Sequence, residues 1–371
     1  MIQVCEPLLG EKEVKYVLNC LKTNWISSKG KYIEEFEKGF ANYCGCSYGV
    51  TTTSGTTALH LALASLGIGT GDEVIIPTFT MVATAFAVIY TGATPILVDA
   101  EYETGNMDVT QIEAKISPST KAIMPVHIYG HPCDMGPIME VARKRGLWVI
   151  EDAAEAHAAE YKGKKTGGIS HIGCFSFYAN KIMTTGEGGM VVTNNEEVAE
   201  KARALKDLAH SKGKRFLHTD IAFNYRMTNV QAAIGMAQLD KIDEYAERRR
   251  AHARLYNELL DNIPGITLPV EKEWAKNVYW MYSILIEDEF GISRDELMSK
   301  LEERGIGTRS AFIPMHQQPA LLNFGLFKGE QYPVAEELAK KGMYLPSSTG
   351  LSHDDIKYIC GVIRELKRAG K

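Results

Sequence analysis

The chain has 371 residues, 45% of them hydrophobic and 23% charged, with a formal net charge of −5. That length exceeds one simple core and predicts two domains with ample apolar surface to bury. Mild acidity argues against a nucleic-acid binder, whereas a small phosphorylated ligand needs only local positive potential.

Seven cysteines, at positions 5, 20, 44, 46, 133, 174 and 360, are odd in number and lack CxxC spacing. They are read as reduced thiols with no metal site. No basic segment leads into an apolar run at the start, and no apolar stretch reaches membrane-spanning length. A cytoplasmic protein without a membrane partner is expected.

Amphipathic helices are predicted over 11–22 and about 31–43, joined by a polar loop, Thr23-Asn24-Trp25-Ile26-Ser27-Ser28-Lys29-Gly30. Thr51-Thr52-Thr53-Ser54-Gly55-Thr56-Thr57 then precedes a helical apolar pattern that stops at Gly67. Ser54 is a good N-cap, and Gly55 lets a ligand approach the backbone. The first turn offers unpaired N–H groups and the positive end of the helix dipole to an anion. Most capped helices bind nothing, so this feature gains meaning only from its company.

Strands at 73–76, 95–99 and 121–128 alternate with helices at about 81–90, 109–116 and 135–145, before a strand that ends Ile150-Glu151-Asp152. The alternation predicts a mostly parallel sheet flanked by helices, with ligands at the carboxyl ends of the strands. Asp152 and the Pro77-Thr78-Phe79-Thr80-Met81 loop fall there. His127 and His131 are four apart, but a strand end followed by Pro132 lacks the helical geometry of a metal pair. They are read as structural or substrate-lining.

The stretch from Cys174 to Gly189 organises the rest. Apolar alternation around Ser176 predicts a short buried strand that delivers Lys181 into a glycine-rich turn before Met190-Val191-Val192-Thr193 resumes as a strand. A lysine among apolar residues is pushed toward the neutral amine that forms a Schiff base with an aldehyde, of which pyridoxal phosphate is the usual one. The ordinary reading of a lysine in a hairpin turn is a solvated one. Asp152 changes it, because pyridoxal chemistry needs a carboxylate against the pyridine nitrogen.

Glu151-Asp152-Ala153-Ala154-Glu155-Ala156, Phe175-Ser176-Phe177 with Asn180-Lys181, and Thr184-Thr185-Gly186-Glu187-Gly188-Gly189-Met190 resemble the pyridoxal-phosphate sugar aminotransferases of the DegT/DnrJ/EryC/StrS family. The likeness runs from about Pro7 to the last helix. It implies the α/β fold of aspartate aminotransferase (fold type I), with a large, mostly parallel-sheet domain over 1–240 and a smaller α/β domain over 241–371. It also implies transfer of an amino group from L-glutamate, leaving 2-oxoglutarate, to a nucleotide-linked keto sugar.

By the same resemblance, Lys181 and Asp152 are catalytic, and Ser54, Gly55, Thr56 and Ser176 hold the cofactor phosphate. Asn224 reaches across a homodimer interface to the neighbouring phosphate, so two chains share each site. Met81 stands where many members stack an aromatic ring on the pyridine, and a thioether also packs on a ring face. Glu155, where many relatives have glutamine, lies near the ring hydroxyl. The loop with Trp25, Ser27 and Lys29 matches a segment near the sugar.

Farther along, a helix is predicted from Glu196 to Ala209, followed by a solvated basic turn, Lys212-Gly213-Lys214-Arg215. Thr228 caps a long helical pattern to about 261. Strands at about 278–286 and 307–312 and helices near 294–304, 333–341 and 353–367 compose the second domain. There Arg309 is a candidate for pairing with a carboxylate or diphosphate through two donors, and His316 for lining the sugar pocket. Ser310 departs from the family's usual proline. Lys181 argues against the dehydratase branch, which has histidine there. No DNA-binding segment supports a silent pyridoxal-binding regulator, and no GxGxxG supports a nicotinamide enzyme.

Overall fold

Runs such as Val74-Ile75-Ile76 and Val149-Ile150 are buried on both sides, as parallel strands covered by helices on two faces must be. The computed structural model describes residues 1–211, 213–214 and 216–369. Lys212 and Arg215 of the predicted basic turn lie outside the described residues.

The main sheet uses β1 (Tyr48–Thr52), β2 (Glu73–Pro77), β3 (Thr94–Val98), β4 (Thr120–Ile123) and β5 (Trp148–Asp152). A short ribbon, β6 (Glu160–Tyr161) and β7 (Lys164–Lys165), precedes its last strands, β8 (Ile172–Ser176) and β9 (Gly189–Thr193). The sheet order is β1-β9-β8-β5-β4-β2-β3. Strands β3, β2, β4, β5 and β8 run parallel, and β9 is antiparallel to both β8 and β1. The expected α/β class and mostly parallel sheet are therefore what the chain forms.

Helices α1 (Glu11–Thr23), α2 (Lys31–Tyr43), α3 (Gly55–Ser65), α4 (Ala83–Tyr90), α5 (Met135–Arg145) and α6 (Glu196–Lys206) accompany the sheet. Helix α3 buries Ala58, Leu59, Leu61, Ala62 and Leu63; a helix apolar on most sides belongs in the interior.

Three expectations are corrected. The helix near 109–116 is two 3-10 turns, Val109–Gln111 and Glu113–Lys115; the stretch between the Asp108 cap and Pro118 is too short to sustain an α-helix. The strand at 121–128 stops at Ile123, because Pro125 has no N–H for a ladder. The long helix to about 261 is two, α7 (Asn229–Leu239) and α8 (Ile242–Leu260). Lys241 leaves helical geometry at φ −114°, ψ 6°, so α7 packs on α1 and α2 while α8 turns toward a second sheet.

That sheet contains β10 (Ile266–Thr267), β12 (Tyr282–Ile286), β13 (Arg309–Ser310) and β14 (Gly342–Leu345), in the antiparallel order β10-β12-β14-β13. The intervening β11 (Ala275–Lys276) instead joins the ribbon through β6. Helices α9 (Arg294–Glu303), α10 (Pro319–Asn323), α11 (Pro333–Lys341) and α12 (His353–Ala369) complete this part. Tyr256, Tyr282, Leu297, Met343 and Ile359 lie in its core. The N-terminal segment reaches it too: Ile2 bridges Ile306, and the Val4 carbonyl accepts from Ser347 N at 2.8 Å.

One buried carboxylate anchors the loop that follows β7. Glu151 accepts from Gly167 N at 2.7 Å, Ser170 N at 2.8 Å and Ile169 N at 3.0 Å. It also meets His127 Nε2 at 3.0 Å. His127 Nδ1 accepts from Cys133 N at 3.0 Å, so the proton sits on Nε2 and is donated to Glu151. Glu151→Ala strands these donors in the core, and a loss of about 3 kcal/mol or more is expected. Denaturant unfolding measures it; a loss below about 1 kcal/mol would remove the anchoring role.

Candidate active site

The carboxyl ends of β5 and β8, the loop after β2 and the N-terminus of α3 converge on a cavity of about 400 Å³. Ser54, Gly55, Thr56, Met81, Asp152, Glu155, Ser176 and Lys181 all line it. Asp152 at the end of β5 and Lys181 in the turn after β8 thus face one space.

One end of the cavity is shaped for an anion. Ser54 Oγ accepts from Thr57 N at 3.2 Å and caps α3, and Ala58 N bonds to the Ser54 carbonyl. The amides of Gly55 and Thr56 find no acceptor among the described residues. A Cβ on Gly55 would stand 2.7 Å from Ser176 Cβ, so glycine is needed here for close packing of helix on strand. Ser176 Oγ accepts from Tyr178 N at 3.3 Å, which leaves its own proton to donate. Two amides, a hydroxyl and the helix dipole therefore point at one place.

The other end holds the acid and the amine. Asp152 is 4% exposed; Thr84 Oγ1 donates to its Oδ2 at 2.8 Å and Ala154 N to its Oδ1 at 3.2 Å. Burial raises its pKa, while these donors and the Lys181 charge pull it back. Burial lowers the pKa of Lys181, against the charges of Glu155 and Asp152. The Lys181 Nζ lies 3.5 Å from the centroid of the Trp280 ring, whose Nε1 donates to the Asn180 carbonyl at 2.9 Å.

Glu155 is 3% exposed and accepts from Tyr129 N at 2.8 Å; burial pushes its pKa up. Tyr129 takes a left-handed φ of 51° to aim that N–H. Its ring stacks on Phe312 at 5.3 Å.

Other expected residues lie elsewhere. Asn224 is exposed, accepts from Arg226 Nε at 2.9 Å and does not line this cavity. Trp25, 55% exposed, and Lys29 line a separate depression beside α1 and α2. Their loop is pinned by Asn229, whose N donates to the Ser27 carbonyl at 2.6 Å and whose Nδ2 donates to the Trp25 carbonyl at 2.7 Å.

His316 is buried, bonded to Thr78 Oγ1 at 2.9 Å and Glu336 Oε1 at 3.0 Å. It props the Pro77–Met81 loop from behind and does not line the cavity. Arg309 is exposed on β13, opposite Tyr344 in register. Tyr344 lines the cavity, so Arg309 stands at its rim. His131 is structural: Asn106 and Lys272 N contact its ring nitrogens, and no group of three or more metal-ligating side chains occurs among the described residues. Nor is any described helix long and apolar enough to cross a membrane.

Sequence reading missed Thr84, Trp280, Phe312 and Tyr344. Thr84 had a faint signal, one helical turn after Thr80 in the loop that follows a strand. Trp280 and Tyr344 come from distant segments with no local mark, and Phe312 lies in the stretch between Arg309 and His316.

Pyridoxal phosphate fits this donor set. The Gly55 and Thr56 amides with Ser176 suit its phosphate, Asp152 suits its ring nitrogen, and the Lys181 amine is available for its aldehyde carbon. The model of the DegT/DnrJ/EryC1/StrS aminotransferase family matches residues 7–364. GDP-perosamine synthases from Caulobacter vibrioides and Escherichia coli O157:H7 are 44% and 45% identical, each alignment covering 98% of both chains. A dTDP-3-amino-3,4,6-trideoxy-alpha-D-glucose transaminase from Streptomyces venezuelae is 38% identical over 91% of this chain and 87% of its own. The pyridoxal-phosphate form of a sugar aminotransferase from Streptococcus pneumoniae superposes with a TM-score of 0.93 at 27% identity, over 100% of this chain and 99% of that one. The chain belongs to the DegT/DnrJ/EryC1/StrS aminotransferase family, and its cofactor is pyridoxal phosphate.

Proposed function

We propose that this enzyme moves an amino group from L-glutamate to GDP-4-keto-6-deoxymannose, giving GDP-perosamine. The likeness to GDP-perosamine synthases over nearly the full length carries the choice of sugar. The meeting of Lys181 and Asp152 in one cavity supports the chemistry. A second reading, a dTDP-linked keto sugar, is favoured by the Streptomyces relative.

When bound, pyridoxal phosphate supplies an electrophilic carbon and a ring that accepts electrons. Asp152, whose charged form the hydrogen bonds from Thr84 and the Ala154 amide favour against its burial, would hold a proton on the ring nitrogen. Lys181, whose pKa burial lowers, would hold the cofactor through Nζ and serve as the base there when that amine is free. It takes the α-proton of the donor and returns it as an acid. The keto sugar then enters, and Lys181 moves a proton in the reverse sense. Glu155, whose pKa burial raises, would stand near the ring oxygen of the cofactor. Trp280, Phe312 and Tyr344 exclude water from the amine.

The active unit in this reading is a homodimer. Asn224 lies outside its own chain's cavity, on a segment that also exposes Leu217 and Ile221, the latter by 92%. Apolar side chains so placed suit burial against a second copy, where Asn224 of each subunit would reach the other's phosphate site.

Lys181→Ala should keep its unfolding temperature and lose each half reaction by about a thousandfold or more. In the wild type, borohydride should fix the cofactor to the peptide bearing Lys181; attachment to another lysine defeats the mechanism. Gly55→Ala should weaken cofactor binding about tenfold or more, because the new methyl pushes α3 away from Ser176. Equilibrium titration reads this, and unchanged affinity would place the phosphate elsewhere. Glutamate with a panel of GDP-, dTDP- and UDP-linked 4-keto-6-deoxy sugars, followed by mass spectrometry, should give the GDP product; turnover of only a dTDP sugar would replace the first reading with the second.

A further inference from the structure

Arg249 has no part in the scheme above, yet its burial demands a reason. Helix α8 carries Arg248, Arg249 and Arg250 in succession. Arg248 pairs with Glu244 at 2.7 Å, and Arg250 pairs with Glu271. Arg249 between them turns inward, is 2% exposed, and pairs with no carboxylate among the described residues. A buried guanidinium without a counter-charge is costly and persists only where hydrogen bonds hold it.

Its bonds lead to the lysine. Arg249 Nη1 donates to the Trp280 carbonyl at 2.7 Å, Nε to Thr349 Oγ1 at 3.0 Å and Nη2 to Cys5 Sγ at 3.4 Å. Trp280 Nε1 and Cys5 Sγ both donate to the Asn180 carbonyl, at 2.9 and 3.0 Å. That carbonyl belongs to the peptide joining Asn180 to Lys181, and the same Trp280 ring covers the amine. One side chain thus binds the N-terminal segment and the second sheet around a single peptide.

The charged and titratable groups facing the amine come from several elements. Asp152 from β5 and Glu155 after it favour the ammonium form, and Cys5 acts in the same sense. Arg249 opposes them. His157, buried beside Phe175 and Phe177, has neither ring nitrogen partnered; burial holds its pKa down to about 3, so it stays neutral.

We propose that Arg249 is a positioning residue for Lys181: through Trp280 and Cys5 it fixes the Asn180–Lys181 peptide, and its positive charge disfavours a second cation at the amine. This rests on the aminotransferase reading for its purpose, although the amine's charge state is measurable without any turnover. A cation nearby disfavours a second cation, so removing it raises the pH at which Lys181 loses its proton.

The test uses the full chain after bound pyridoxal phosphate has been removed with hydroxylamine and dialysis, so that the Lys181 amine is free. Lys181 is acylated by a small amine reagent across a pH series, and its peptide is read by mass spectrometry with the exposed lysines as internal standards. Arg249→Met should raise the labelling midpoint by about one pH unit, and Arg249→Lys should leave it within about 0.3 unit of wild type. A folded Arg249→Met with an unmoved midpoint overturns the proposal. Should that variant fail to fold, Arg249→Gln keeps hydrogen-bond donors at this position without the charge. Its midpoint should rise as well, and no rise overturns the proposal equally. Failure to aminate any sugar would refute the proposed function and leave these midpoints as they are.

Discussion

The site depends on an asymmetry between two buried groups of opposite kind. Burial drives a carboxylate and an amine alike toward their neutral forms, and each charge draws the other back. Local donors break the tie. Asp152 receives two hydrogen bonds, from Thr84 and the Ala154 amide, whereas the Lys181 Nζ has no hydrogen-bond partner among the described residues and rests against a ring face. The donors thereby favour the charged form of the acid while no comparable hydrogen bond favours the charged form of the amine, a division of labour that pyridine-based chemistry needs.

Sheet topology places these groups before any side chain refines them. Strands β5 and β8 are parallel neighbours with Asp152 opposite Cys174, so the chain leaves both at the same edge. The capped start of α3 arrives at that edge because the helix lies against β8 and β9. An anion end and an acid end then sit a fixed distance apart on rigid elements. Glu155 needs more effort. Its partner amide comes from Tyr129 in a left-handed conformation, a cost of about 1–2 kcal/mol. Stacking on Phe312, from the segment after β13, helps to offset it. The second sheet therefore supports the first sheet's chemistry through packing.

Much of this was legible in the sequence, for identifiable reasons. Helices α1, α2, α3 and α5 follow from apolar periodicity, α3 with its Ser54 cap, and Lys181 and Asp152 follow from the chemistry of an amine and an acid together with the family resemblance of the segments that carry them. What stayed hidden depends on long-range contact. Trp280 is separated from Lys181 by about a quarter of the chain, and no local pattern marks it. His316 sits in a chemically suggestive stretch beside Arg309, yet its partners, Thr78 and Glu336, turn it into a strut. Arg249 reads as one charge in a solvated run, and only the fold shows that the middle arginine is buried.

The separation between chemistry and selection follows from the same geometry. Groups around the amine act on atoms that any amino donor and any keto sugar share, so they carry little information about which sugar enters. Trp25, Ser27, Lys29, Arg309 and Asn224, the residues proposed to read the substrate or the neighbouring phosphate, stand on loops, a strand edge and an exposed segment outside the cavity. Those around Trp25 share an anchor, since Asn229 pins their loop, and Gln231 in the next turn donates to the carbonyl of Glu187 at 2.7 Å. Glu187 lines the Lys181 cavity. The start of α7 thus joins the proposed selecting loop to the wall of the reacting site, so changes of sugar can accumulate on the loops while the strand ends that hold Asp152 and Lys181 stay as they are.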